Sequence, residues 1–137
     1  MPGSDSPPPC AIRFRAREPQ TVETRLYQQT LELTALIDVL ITRVELARFH
    51  LRDLLDRDAT FLALSCGRAL TEVAPSERRR LYRAARPRAI ECGTILDILA
   101  PRARQGAEPG RGSKLIIEDA RALLADLISK LEHLAAR

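Results

Sequence analysis

"SERRRLYRAARPRAIECGTILDILA" occupies residues 76–100, and its periodicity decides what kind of chain this is. Leu81, Ala85, Ala89, Cys92, Leu96 and Leu99 recur at three- and four-residue steps, the apolar stripe of an amphipathic helix. The positions between them are largely polar, and six arginines fall in the eleven positions from Arg78 to Arg88. From Ser76 to Ile90 six Arg stand against one Glu, a net +5, whereas the whole chain is +4, which leaves −1 for everything else. The basic character therefore concentrates on one helix. Pro75 and Ser76 suit its start, and Glu77 in the first turn complements the helix dipole. Pro87 deletes one backbone hydrogen bond and crowds the preceding turn, so a kink or local unwinding is expected over residues 84–87.

Upstream, the same period continues. Val22, Leu26, Leu33, Leu36, Ile37, Leu40, Ile41 and Val44 form one stripe; Leu51, Leu54, Leu55, Ala59, Leu62, Cys66 and Ala69 form another. No Gly or Pro separates them, so residues 21–71 read either as two helices meeting near Glu45 to Phe49 or as one long helix. Downstream, "PRARQGAEPGRGS" (residues 101–113) has the composition of a loop. A last helix is expected from Ser113 or Lys114 to about Ala136, with Ile116, Ala120, Leu123, Leu124, Leu127, Leu131 and Leu134 inward. Nothing reads as a strand. The expected fold is all-α: an antiparallel up-down four-helix bundle over residues 21–137. Residues 1–20 hold five Pro and alternate Arg13, Arg15 and Arg17 with Phe14 and Ala16. They read as a disordered or extended arm with Ile12 and Phe14 as an anchoring pair.

Composition sets outer bounds. The chain has 137 residues, 45% hydrophobic and 29% charged, with no Trp, three Phe and two Tyr, so the core must be aliphatic. No apolar run approaches the roughly 18 residues of a membrane span. The first residues lack the basic start and apolar stretch of a secretory signal. Three widely spaced cysteines, Cys10, Cys66 and Cys92, fit reduced thiols and a cytoplasmic location.

The tract "LYRAARPRAIECGTILDIL" (residues 81–99) resembles the third helix of the 23S rRNA-intervening sequence proteins. Tyr82, Arg83, Ala89, Glu91, Cys92, Ile95, Leu96 and Asp97 stand at the matching places. "DRDATFLALSCGRA" is similar to that family's second helix through Arg57, Ala59, Thr60, Leu62 and Leu64, with Ser65, Arg68 and Ala69 replacing its Asn, Glu and Gly. The resemblance spans residues 24–136. It implies a homopentameric ring of four-helix bundles with no enzymatic activity and no cofactor. It also implies kinship with the accessory variability determinant proteins of diversity-generating retroelements, basic rings that bind nucleic acid and a reverse transcriptase.

The arginine tract supplies the candidate site. Arg79, Arg83 and Arg86 share one helix face, Arg78, Arg80 and Arg88 flank it, and Tyr82 is placed to stack on a base. Aligned guanidiniums gain affinity for RNA or DNA phosphates through counterion release. The competing reading is a solvated face, since the chain uses 20 Arg against two Lys and Glu77 and Glu91 are within pairing range. Asp58 falls on the apolar face of the second helix, where a lone carboxylate is costly. Either an arginine across a subunit boundary pairs with it or that face is wetter than the stripe suggests; the former makes Asp58 a candidate oligomer contact, and Pro87 is another if its bend shapes a subunit contact. Asp38, between Ile37 and Val39, raises a milder version of the same question.

No catalytic or metal constellation emerges. His50 and His133 stand in no ligand spacing. Ser65 and Cys66 adjoin Gly67 without the preceding strand of a nucleophile elbow. "EPGRGSK" lacks the spacing of a phosphate loop. Leu31, Val39, Leu46 and Leu64 fall off the stripes and point to self-association. The functional expectation is a non-enzymatic oligomer, a pentamer by resemblance, that binds nucleic acid and partners a reverse transcriptase. The alternative is an adaptor oligomer that recruits a protein.

Overall fold

A computed structural model describes residues 21–43, 49–105 and 108–137, and there it is helical throughout apart from short caps and connections. The four helices are α1 (Val22–Arg43), α2 (Phe49–Thr71), α3 (Pro75–Gln105) and α4 (Glu108–Ala136). Contacts join α1 to α2, α2 to α3, α3 to α4, and α4 back to α1. Four helices that each touch two neighbours enclose one core, a four-helix bundle. The N-terminal arm, and Leu46 with it, lies outside the described residues.

The helix ends follow from local chemistry. Thr21 caps α1: its Oγ1 accepts from the Thr24 N–H at 3.1 Å, and its carbonyl accepts from the Arg25 N–H at 3.0 Å. Ala74 plays the corresponding part for α3, its carbonyl accepting from the N–H groups of Glu77 and Arg78 at 3.1 and 3.0 Å. Pro75 therefore sits at the first helical position, where its missing N–H costs nothing.

Residues 21–71 are two helices folded against each other. A continuous helix would hold Tyr27 and Gly67 about 60 Å apart at 1.5 Å per residue. Instead the Tyr27 ring lies so close to Gly67 that a Cβ there would stand 3.1 Å from Cε1. Gly67 is what allows that approach.

The core is the aliphatic one its composition demands. Leu26, Leu33, Leu40, Leu55, Leu62, Leu96, Leu127 and Leu131 are fully buried, with Ala59, Ala85 and Ala89 letting the helices draw together. Every stripe residue of α3 is buried. Val22 departs from its expected inward place: it opens α1 beyond the core and is exposed. Leu36, Ile41, Leu54, Ile116 and Leu123 are half-buried, packed against the core edge. Asp38 is exposed, which disposes of its apparent place in the apolar stripe.

Two expectations are corrected. Residues 101–105 and 108–113 are helical rather than loop: α3 runs through Pro101 to Gln105, and α4 begins at Glu108. Pro109 and Gly110 fall in the first turn of α4, where backbone N–H groups have no intrahelical partner to lose. Of the kink or local unwinding expected over residues 84–87, the unwinding is absent: the helix continues through Pro87. Pro87 and Pro101 are both exposed, so water can take the carbonyls that each leaves unpaired.

Candidate nucleic-acid interface on the third helix

Six arginines in eleven positions cannot share one face of a helix, and the structure divides them among α2, α4 and α3 itself. Arg78 reaches back to the end of α2, where its Nη1 donates to the carbonyls of Glu72 at 2.9 Å and Val73 at 3.0 Å. Those carbonyls lie just past the last turn of α2 and would otherwise need water or a cap. Arg80 pairs with Glu77 one turn earlier, its Nε donating at 2.8 Å. That hydrogen bond, with the guanidinium charge behind it, holds the Glu77 carboxyl below its usual range.

Arg83 and Arg86 cross to α4. Arg83 Nε donates to the Ala135 carbonyl at 3.2 Å, in the last turn of α4 where the dipole favours a cation. Arg86 Nη2 meets Glu132 Oε2 at 2.7 Å, with both side chains about half exposed. Such an exposed pair contributes at most about 1 kcal/mol. Arg79 makes no hydrogen bond or ion pair with any described residue.

Arg88 turns the other way, toward α2. Its Nη1 stands 3.1 Å from Oδ1 of Asp58, and its guanidinium lies 4.6 Å from the centroid of the Phe61 ring. Asp58 is wholly buried, so its partner comes from its own chain and no arginine across a subunit boundary is required. Burial, followed by the Glu91 carboxyl, pushes the Asp58 carboxyl up to about 6, with Arg88 pulling the other way. Its second oxygen has no hydrogen-bond partner among the described residues.

Tyr82 is not a stacking platform. It is 2% exposed and belongs to the core, and its hydroxyl is buried with no hydrogen-bond partner among the described residues. The inward arc of α3 is wide enough to take in position 82. With about 100° per residue, Tyr82 stands only about 20° beyond Ala89, itself a stripe residue.

The result is a graded basic face. Arg80, Arg86 and Arg88 sit on carboxylates. Arg78, Arg79 and Arg83 have no salt bridge with any described residue, and two of them contact only neutral carbonyls. Arg137, at the end of α4, adds a fourth charge to this end of the bundle, 3.5 Å from Glu23.

The remaining chemistry is sparse. His50 and His133 are both exposed, on different helices. Among the described residues no group of three or more His, Cys, Asp or Glu could hold a metal ion. Cys66 and Cys92 are buried free thiols, each pushed up to about 12 mainly by burial. No described helix is long and apolar enough to cross a membrane. Neither a protein-family model, nor a curated protein, nor a solved structure matches this chain.

Proposed function

We propose that this chain is a non-enzymatic, self-associating helical scaffold that grips the phosphate backbone of RNA or DNA with the N-terminal half of α3. The observation that carries this reading is the unopposed charge of Arg78, Arg79 and Arg83, gathered at one end of the bundle. Paired arginines contribute less, because their carboxylates remain in place when a phosphate arrives. With one aromatic buried and none beside it on this face, the grip is electrostatic and indifferent to sequence.

The antiparallel, up-down course belongs to the same proposal. It is supported by α3–α4 pairs that run in opposite order along the chain: Arg83 with Ala135, Arg86 with Glu132, Asp97 with Arg121. Assembly, with the pentamer as the favoured number, draws support from large apolar side chains left in water. Leu31, Val39 and Leu64 are exposed as their positions off the stripes imply, and so are Val73, Ile98 and Leu115. A ring would multiply a modest patch by avidity. A reverse transcriptase as partner, membership of the intervening-sequence family and a cytoplasmic location rest on the sequence reading.

The test is the salt dependence of binding to an arbitrary RNA and an arbitrary DNA. Replacing Arg79, Arg83 and Arg86 together by Gln should flatten the slope of log K against log salt by about two units per bound protomer. The Arg86 charge, already opposed by Glu132, adds less than the other two. No binding at low salt would remove the reading. A light-scattering mass near the monomer's 15.3 kDa at micromolar concentration would remove the oligomer.

One observation favours a protein partner instead. A groove of about 710 Å³ between α1 and α4 is floored by Ala35, Leu36, Val39, Ala122 and Leu123. An adaptor would use such an apolar surface, and its binding would survive the triple arginine replacement.

A further inference from the structure

Behind the arginines, at the end of the bundle, the structure has a small polar cavity of about 220 Å³. The start of α1, the first turns of α3 and the end of α4 meet there. It is lined by Arg78, Arg79, Tyr82 and Arg137, with Glu23 as its one carboxylate. We propose that this cavity binds a single phosphate group, carried by the end of a nucleic acid or by a small phosphorylated molecule. The proposal goes beyond the α3 grip: a backbone grip reads many exposed charges, whereas this is a discrete site, and it stands whether or not the grip does.

Three features converge on an anion. Tyr82 lines the cavity, and its hydroxyl is buried with no partner among the described residues. A phenol with an unmade hydrogen bond is a cost that Phe would avoid, and such costs are retained where a ligand supplies the partner. Charge is the second feature: three guanidiniums oppose one carboxylate. Among the described residues Arg79 has no partner and Arg78 is held only through Nη1, so its Nε and Nη2 remain able to donate. Glu23 is 3.5 Å from Arg137, which offsets its repulsion of an anion. The third is the dipole of α3, a 31-residue helix whose first residue, Pro75, lines the cavity; it acts through its field alone, since Pro75 has no N–H and the Ala74 N–H donates to Glu72 Oε1 at 3.2 Å. The volume also fits. A phosphate occupies the space of a few waters, at roughly 30 Å³ each, which leaves room for its ester substituent or for solvent.

The experiment titrates the full chain with inorganic phosphate at low ionic strength, followed by phosphorus NMR or calorimetry. Saturable binding is expected, weakened about tenfold by Tyr82→Phe, which deletes one donor, and comparably by Arg79→Gln. Tyr82→Phe removes a buried orphan hydroxyl, so its melting temperature should equal or exceed the parent's, and lost binding is not lost folding. Absence of saturable binding overturns the proposal, as does a Tyr82→Phe variant that binds phosphate as the parent does. A second arm compares one oligonucleotide with a 5′-phosphate and a 5′-hydroxyl. A preference for the phosphorylated end that Tyr82→Phe abolishes supports the site with nucleic acid as the source. Phosphate binding with no end preference supports it with a small phosphorylated molecule as the source. Because Arg83 does not line the cavity, Arg83→Gln should change the salt slope for nucleic acid and leave inorganic phosphate affinity intact, which separates failure of the grip from failure of the pocket.

Discussion

Asp58 makes the stability of the bundle depend on pH in a direction opposite to most carboxylates. Its folded value is about 6 against an ordinary 3.8, so the folded chain holds the proton more tightly than the unfolded one. Below 3.8 the group is protonated in both states and costs nothing. Between 3.8 and about 6 the unfolded chain ionises this carboxyl while the folded chain still holds the proton, so stability falls across that window and levels off once the folded group ionises. Integrating the two titrations gives a penalty of about 3 kcal/mol at pH 7.5, roughly half of that at pH 5 and under ~1 at pH 4. Asp58→Asn removes the titration yet keeps an oxygen to accept from Arg88. Urea denaturation of parent and variant across pH 4 to 8 isolates the effect, because carboxylates other than Glu91, which interacts with Asp58 directly, cancel in the difference. The variant should be the more stable by about 2–3 kcal/mol at pH 7.5, with the gap closing toward pH 4. A gap that stays constant with pH, or widens on acidification, would refute the reasoning. Arg88→Met offers the converse: removing the cation leaves the carboxylate uncompensated and should lower stability at pH 7.5 by a few kcal/mol.

Pro87→Ala restores a hydrogen-bonded N–H in the interior of α3 and should raise unfolding stability by about 1–3 kcal/mol, with the oligomer mass unchanged. A loss of several degrees in melting temperature without any change in assembly would contradict this. At Gly67 two effects oppose each other. Ala gains up to about 1 kcal/mol of helix propensity but requires the Tyr27 ring to yield slightly, so Gly67→Ala should lie within ~0.5 kcal/mol of the parent. Gly67→Leu should cost about 2 kcal/mol or more, since a larger side chain must displace the ring outright.

The helical period alone located α2 and α3 to within a few residues at their shared boundary, because Pro75 and its neighbours end one helix and begin the next by local chemistry. The stripe of α4 was legible but rotated. Ile117 is buried while Ile116 is only half so, since the inward arc centres nearer Ala120 and Leu131 than the chosen residues suggest. Residues 101–113 were misjudged because composition counts Pro and Gly without weighing position: Pro109 and Gly110 in the first turn of α4 sacrifice no hydrogen bond, and Pro101 inside α3 is exposed, so water can take the carbonyl it frees. The candidate site was legible as charge and illegible as pairing. Spacing put Arg79, Arg83 and Arg86 on one face, but only the approach of α4 decides that Arg83 meets a carbonyl and Arg86 a carboxylate. The cavity beside Tyr82 joins residues 23, 75–82 and 134–137, a juxtaposition no local pattern encodes.

Cys66 and Cys92 sit on adjacent helices, each with its thiol wholly enclosed and its ionisation pushed up to about 12. A thiol-specific reagent cannot reach either sulfur in the closed bundle, and almost no thiolate is there to attack it. Modification must therefore wait for α2 or α3 to come away, so the alkylation rate at these two positions is a clock for opening. Labelled fractions resolved by residue would tell whether both helices leave together or one departs first. Repeating the measurement with nucleic acid or phosphate present would convert ligand binding into slower labelling, with no probe attached to the protein.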